Sequence, residues 1–291
     1  HQITFLVDKE SEMAFSAIKA KNYPVLMQKS ENIIDDIKKI APNIIINDRL
    51  DTSAAYIKEL KSQDFKVINF EDLGKGCEYA DSVFNAIYPE KNALPNHYFG
   101  QEYFILRDEF IFSEEKIITS EVKNILITFG GVDPNNYTEK VIRIINQYCN
   151  EKNITIIIIA GFGYTNYDSI KSYENVIIKR NISNISDYML QADLIFTSAG
   201  RTVYEVASIG TPAVVLAQNE REMTHFFASP EYGFSNLGLG FNLSDEEVMI
   251  EFLRLVKSFE SRSHMSSLMK KQDLKSGRKR VHKLIQDLIQ D

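Results

Sequence analysis

Asn124-Ile125-Leu126-Ile127-Thr128-Phe129-Gly130-Gly131-Val132-Asp133-Pro134-Asn135-Asn136 reads as an apolar strand that ends in paired glycines just before a helix. Glycines at such a junction allow positive φ and let a bound group approach the backbone, while the helix N-terminus offers unpaired N–H donors to an anion. A phosphate fits there, and so does a plain tight turn. The stretch is neither a Walker loop nor a G-x-G-x-x-G fingerprint.

Working outward, Ile- and Val-rich runs of four to seven residues alternate with longer segments of helical period, which favours parallel strands joined by helical crossovers. Downstream, strands are predicted at 155–160, 176–179, 194–197 and 213–216, with helices over 136–150, 244–259 and 277–290. Upstream, strands are predicted at 3–7, 24–27, 43–47, 66–70 and 82–85, with helices near 11–21, 31–40 and 52–62. Between the two series lie an irregular stretch with Pro89, Pro95 and Gly100 and a polar segment, 113–123. The expected fold class is α/β, with domains over 1–117 and 118–291. No internal sequence repeat links the halves.

The 291-residue length suits two domains, and 44% hydrophobic with 25% charged residues is an ordinary globular balance. Against 40 Asp and Glu stand 33 Lys and Arg, a net charge of −7 that repels a phosphate polyanion, so no nucleic-acid partner is expected. Cys77 and Cys149 lie far apart without metal-ligand spacing, so neither a disulfide framework nor a metal site is expected. Apolar runs stop far short of the roughly 20 residues of a membrane helix. No membrane partner is expected, and a reducing cytoplasm fits best. The chain opens at His1, without a methionine, and runs straight into a strand, which reads as a start inside a longer polypeptide.

Three further segments carry candidate chemistry. Strand 194–197 ends in Ser198-Ala199-Gly200 and enters a helix near Arg201, with Glu205 in its first turns. Backbone donors there suit an anion, and one carboxylate suits the vicinal hydroxyls of a ribose; equally, Ser198 is a helix cap and Glu205 a solvated residue. The run Gln218-Asn219-Glu220-Arg221-Glu222-Met223-Thr224-His225 follows strand 213–216, where ligand loops of open α/β sheets gather. Asn219 and Glu220 are its substrate-side candidates, and His225 is a proton carrier, a ligand-contacting donor or a capping residue. Asn47-Asp48-Arg49 ends a strand in the first half and reads as a cleft residue set or a simple turn. The basic cluster Arg278, Lys279 and Arg280 reads as a solvated helix face. No nucleophilic triad, carboxylate pair or metal cluster is recognisable.

These segments resemble the nucleotide-sugar hydrolase family of pseudaminic acid biosynthesis and its spore coat polysaccharide relatives. The likeness spans nearly the whole chain. It is carried by Asn47-Asp48, Asn69-Phe70-Glu71-Asp72, the residues from Asp81 to Asn85, Arg107 and Glu109 within 104–110, Gly130-Gly131 with Asp133, and the 197–220 block. Ser198-Ala199-Gly200 with Glu205 and Gly210-Thr211-Pro212 is similar, more distantly, to the donor-binding part of MurG-type glycosyltransferases. The resemblance implies a GT-B architecture of two Rossmann-like domains facing a cleft, the N-terminal one lacking its first strand and helix, with UDP held mainly by the C-terminal domain.

It also implies a reaction without a cofactor: water attacks the anomeric carbon of a UDP-linked diacetamido trideoxy sugar and UDP leaves. The nucleotide would meet Gly130, Gly131, Ser198, Ala199, Gly200 and Glu205. The family's general base sits in a Gly-x-Gly-His turn, and the resemblance aligns His1 with a later position. The catalytic residue is thus unassigned by correspondence, with His225 and then Asp48 as candidates inside the chain. Asn47 to Thr52 and Asn219-Glu220-Arg221 look closest to a branch fused to a sialic-acid-type cytidylyltransferase. A glycosyltransferase with the same donor site and a noncatalytic nucleotide-sugar-binding module are the other readings of the resemblance.

Overall fold

The structure, a computed structural model, describes residues 2–90, 94–171, 173–180 and 182–290. His1, where the sequence reading places the start of the resemblance, lies outside them. The chain forms two compact units, His1–Phe84 with Leu94–Asn96, and Asn85–Ala93 with His97–Asp291.

The first unit runs β1 (Phe5–Val7), α1 (Glu12–Ala20), β2 (Val25–Met27), α2 (Ile33–Ile40), β3 (Ile44–Asp48), α3 (Ala54–Lys61), β4 (Lys66–Phe70) and β5 (Ser82–Asn85). Asn32 and Ser53 cap α2 and α3 by accepting the N–H groups of Ile34 and Tyr56. Among the described residues β1 and β2 form a two-stranded parallel sheet, while β3, β4 and β5, paired in parallel, belong to a separate sheet. The sheet of this unit is therefore interrupted between its first two strands and the rest. The core lies among Ile34, Ile37, Ile45, Ile57, Leu60, Val67 and Val83.

In the second unit come β6 (His97–Phe99), α4 (Asp108–Ile111), β7 (Asn124–Ile127), α5 (Tyr137–Glu151), β8 (Thr155–Ala160), α6 (Tyr167–Ile170), β9 (Val176–Arg180) and α7 (Ile185–Gln191). They are followed by β10 (Leu194–Thr197), α8 (Thr202–Ile209), β11 (Ala213–Ala217), β12 (Phe234–Leu239), α9 (Asp245–Lys257), α10 (Phe259–Lys270) and α11 (Gly277–Gln290). Six parallel strands stand in the order β12-β11-β10-β7-β8-β9. Counted from β7, this is the 3-2-1-4-5-6 order of a doubly wound dinucleotide-binding sheet, and the order reverses between β7 and β10. Burial on both faces explains why these strands are uninterrupted runs such as Ile156 to Ile159.

Three features depart from the sequence reading. β12 is an additional edge strand, paired with β11 through a register shift between Val215 and Ala217. The predicted helix 244–259 ends at Lys257, and Ser258 both closes α9 and caps a further helix, α10. Residues 97–117, read as the end of the first domain, belong by their contacts to the second unit: Phe104 stacks on Tyr204 at 4.0 Å, and Lys116 pairs with buried Asp193 at 3.0 Å. Arg278 and Arg280, read as a solvated helix face, pair with Asp108 and Asp273, and Arg280 also donates to Glu102 O at 2.9 Å, so this face is tied to other segments. Among the described residues no helix is long and apolar enough to cross a membrane, and no group of three or more His, Cys, Asp or Glu could hold a metal ion.

Candidate functional site

The crevice beyond the carboxyl ends of β7 and β10 is where ligands bind in sheets of this order, and both glycine-bearing turns lie there. After β7 the chain continues the ladder with Thr128 N–H on Phe196 O at 3.0 Å and then turns at Gly130, whose φ of +79° suits glycine. A β-carbon built on Gly130 or Gly131 would meet nothing within 4 Å, so this turn presents bare backbone to open space. The loop after β8 supports it from behind: Gly163 N–H donates to Gly131 O at 2.9 Å, and Gly161 lies so close that a β-carbon there would be 2.4 Å from Gly130 O.

The helix that follows is not open to an anion. Asp133, buried and at φ +49°, accepts the N–H groups of Tyr137 and Thr138 at 2.9 Å each, and Gln218 Nε2 donates to it at 2.8 Å. Two donors at the N-terminus of α5 are therefore spent on an internal carboxylate.

At the end of β10, Ser198 and Ala199 are buried, and Gly200 opens the way to α8. The Ala199 peptide is gripped from both sides. Its N–H donates to Glu222 Oε2 at 3.2 Å, and the same oxygen accepts Gln218 N–H at 2.8 Å. Its carbonyl accepts from His225 Nδ1 at 2.7 Å. A carbonyl only accepts, so Nδ1 carries the proton and Nε2 is the lone-pair nitrogen. That nitrogen is buried without a hydrogen-bond partner among the described residues. Burial, then the Arg221 charge, hold the His225 pKa below its ordinary value, and burial raises that of Glu222 against the hydrogen bonds it accepts.

Glu205 lies in the first turn of α8. Arg107 donates to its Oε1 from Nε at 2.9 Å and from a terminal nitrogen at 2.9 Å. Burial still raises the Glu205 pKa, with Arg107 opposing and Glu109 adding to the rise.

The sequence-derived candidates are thus brought together in part. Gly130, Gly131, Ser198, Ala199, Gly200 and Glu205 all occupy the switch-point end of the second unit's sheet, joined by His225. Asn219 caps the short turn at 222–224 by accepting Glu222 N–H at 3.0 Å, and Glu220 is exposed. His225 donates through Nδ1 to Ala199 O, which leaves Nε2 as the nitrogen with a free lone pair. Asp48 ends β3 in the other unit and is exposed. Its neighbours are structural: Asn47 donates to Asn69 at 2.8 Å, Asn69 to Asp72 at 2.6 Å, and Asp72 also accepts from Thr52 and Gly74 in a buried network. Glu222, Asp133 and Gly161 carry parts of the site that the sequence reading left without a role. A conspicuous Asp just before a helix was the available signal for Asp133.

No family model matches the chain. It is 32% identical over 232 residues to the uncharacterized protein MJ1062 of Methanocaldococcus jannaschii, covering 73% of this chain and 48% of that protein. To the spore coat polysaccharide biosynthesis protein SpsG of Bacillus subtilis it is 27% identical over 279 residues, 89% of this chain and 81% of SpsG. To the pseudaminic acid cytidylyltransferase and UDP-2,4-diacetamido-2,4,6-trideoxy-beta-L-altropyranose hydrolase of Helicobacter pylori it is 24% identical over 200 residues, 65% of this chain and 37% of that protein. The chain spans about half of the first relative and less than half of the third. Among solved structures, MurG of Acinetobacter baumannii superposes with a TM-score of 0.67 at 15% identity, covering 99% of this chain and 90% of MurG. The glycotransferase of kitacinnamycin gives 0.68 at 12% identity, over 99% and 91%. The fold is GT-B.

Proposed function

We propose, for a chain that is homologous to SpsG and has the GT-B fold, that it binds a UDP-sugar at the β7–β10 switch point and acts in surface-polysaccharide or nonulosonic acid biosynthesis. The observation that carries this reading is the backbone-presenting turn Gly130-Gly131, with the small residues Ser198 to Gly200 at the neighbouring strand end, at the point where the strand order reverses. The diphosphate takes backbone N–H groups there, and Glu205 takes the ribose. Several donors must act together, since each charge-assisted hydrogen bond contributes only about 1.5–3 kcal/mol.

The reaction named for the Helicobacter relative is hydrolysis. Water adds to the anomeric carbon, the C1–O bond breaks with its electron pair leaving on UDP, and the water's proton passes to a base. Within this chain His225, with its Nε2 lone pair, is the first candidate and Asp48 the second. The likeness to solved glycosyltransferases favours one other reading, transfer of the same sugar to an acceptor. A cytidylyltransferase domain in the same polypeptide is the partner suggested by the Helicobacter relative's name.

Calorimetry with UDP against the other nucleoside diphosphates tests the binding reading, and a folded sample that ignores UDP refutes it. Glu205→Ala weakens UDP binding without unfolding the protein. With a UDP-linked diacetamido sugar, free sugar and UDP formed in water mark a hydrolase, whereas UDP release only with an acceptor marks a transferase. His225→Ala and Asp48→Asn then tell which group takes the proton.

A further inference from the structure

Arg107 and Glu109 carry part of the family likeness but take no part in the reaction outlined above. We infer that Arg107 is a positioning residue that keeps Glu205 ionised and turned so that one carboxylate oxygen is offered to the ribose hydroxyls. The inference rests on the reading that Glu205 binds a ribose. Leu106 and Phe110 are buried, which pins the segment and leaves Arg107 and Glu109 to meet α8 and α7. The Arg107 guanidinium bridges two carboxylates: Nε and one terminal nitrogen meet Glu205 Oε1, and the other terminal nitrogen meets Glu109 Oε1 at 2.7 Å. Glu109 is held in turn by Ser186 N–H on its Oε2 at 3.1 Å. The anchor is thus tied to backbone on its far side.

Both Arg107 contacts fall on one oxygen of Glu205. Its Oε2 has no hydrogen-bond partner among the described residues, which is the arrangement a vicinal diol needs: one oxygen fixed, one free to accept. The charge matters as much as the direction. The Glu205 side chain is only 15% exposed, and burial favours its neutral form, which accepts hydrogen bonds less well. The charges acting on it are Arg107 and Glu109 from the α4 segment and Arg201 from the start of its own helix. Of the other elements on α8, α10 places Lys270 beside Gly210 at the far end, α7 carries Asp187, and the turn Leu274–Ser276 carries Lys275, whose Nζ donates to Ser113 O at 2.6 Å. Arg107 is therefore the main group that opposes neutralisation.

The test is calorimetry of UDP and 2′-deoxy-UDP at pH 6 and pH 8 with wild type, Arg107→Met, Arg107→Lys and Glu205→Ala. In Arg107→Met, Glu205 loses its cation, so UDP binding weakens about ten-fold or more at pH 6 and less at pH 8. Its preference for UDP over the deoxy analogue collapses at the lower pH. Arg107→Lys keeps a positive charge and restores most of the pH 6 affinity. Wild-type affinity and pH profile in Arg107→Met, with Glu205→Ala defective, would overturn the positioning role alone. Equal binding by wild type and Glu205→Ala would overturn the ribose reading itself, and the role of Arg107 with it. An equal loss at both pH values, not restored by lysine, would reduce Arg107 to a structural residue.

Discussion

Gly161→Ala, set against Gly131→Ala, separates the support of the proposed phosphate turn from its ligand face. A β-carbon on Gly161 would lie 2.4 Å from Gly130 O and 2.5 Å from Gly131 Cα and O, whereas ordinary contact begins at 3.4 Å. The obstructing atoms are backbone, so the turn must retreat by about 1 Å, an overpacking that costs roughly 1–3 kcal/mol. Because Gly161 lies behind the turn, a shift of that size drives the turn into the phosphate's place and spoils a hydrogen bond of about 2.9 Å, a loss of roughly 1.5–3 kcal/mol, or about 10- to 150-fold in affinity. Gly131 is the reverse case: a β-carbon there meets nothing within 4 Å, so its alanine variant keeps wild-type stability but puts a methyl group where the anion would lie. Urea unfolding followed by circular dichroism, with UDP calorimetry on the same samples, reads both quantities. Gly161→Ala should lose stability and affinity together, and Gly131→Ala affinity alone. Wild-type UDP binding in both variants would refute the placement of the diphosphate on this turn.

Arg262, buried in α10, donates to the carbonyls of Leu255, Val256, Thr119 and Ser120 at 2.6–3.0 Å. Arg262→Met strands these acceptors at a cost of roughly 3–5 kcal/mol, and the urea midpoint should fall by about 1 M or more. For His225 the folded pKa is depressed, so the unfolded chain binds the extra proton first. Stability attributable to this residue is intact above the unfolded pKa of about 6.5 and falls as the pH drops below it. His225→Asn, which keeps a donor for Ala199 O, should lose less melting temperature than wild type between pH 7.5 and 5.5; parallel curves would show that the imidazole is not held neutral. Glu205 and Glu222, with raised pKa values, act in the opposite sense in both proteins and cancel in that comparison.

Strands β7, β8, β10 and β11 and the glycine turns were legible because their signals are local: an apolar run for two-sided burial, and small residues where backbone must be bare. β12 was not, because Ser235, Asn236 and Gly238 give it no apolar pattern. Its pairing with β11 and the burial of Phe234 are set by tertiary contact. The same holds for α10, whose serine-rich sequence buries Arg262 and Met269. Glu205 could be picked out by its place in a helix's first turn, but its link to Arg107, 98 residues earlier, needed the fold.

Glu222 is the instructive omission, since it changes how an anion can bind. It stands 23 residues from Ala199, and only the adjacency of β10 and β11 brings its carboxylate onto the N–H that the sequence reading reserved for phosphate. An ionised Glu222 and a diphosphate at the same donor would repel, so the ligand must either leave Ala199 to Glu222 or displace it. The first course costs less, because Glu222 also holds Gln218 N–H, and Gln218 Nε2 in turn reaches Asp133 at the head of α5. Displacing Glu222 would loosen both turns at once, whereas leaving it in place makes it the brace that sets their separation. On that argument a diphosphate would draw on Gly130, Gly131, Ser198 and Gly200, and Glu222→Gln, which keeps an acceptor and removes the charge, should tighten UDP binding. Calorimetry that found the Gln variant weaker than wild type at pH 7.5 would show instead that the brace depends on the charge.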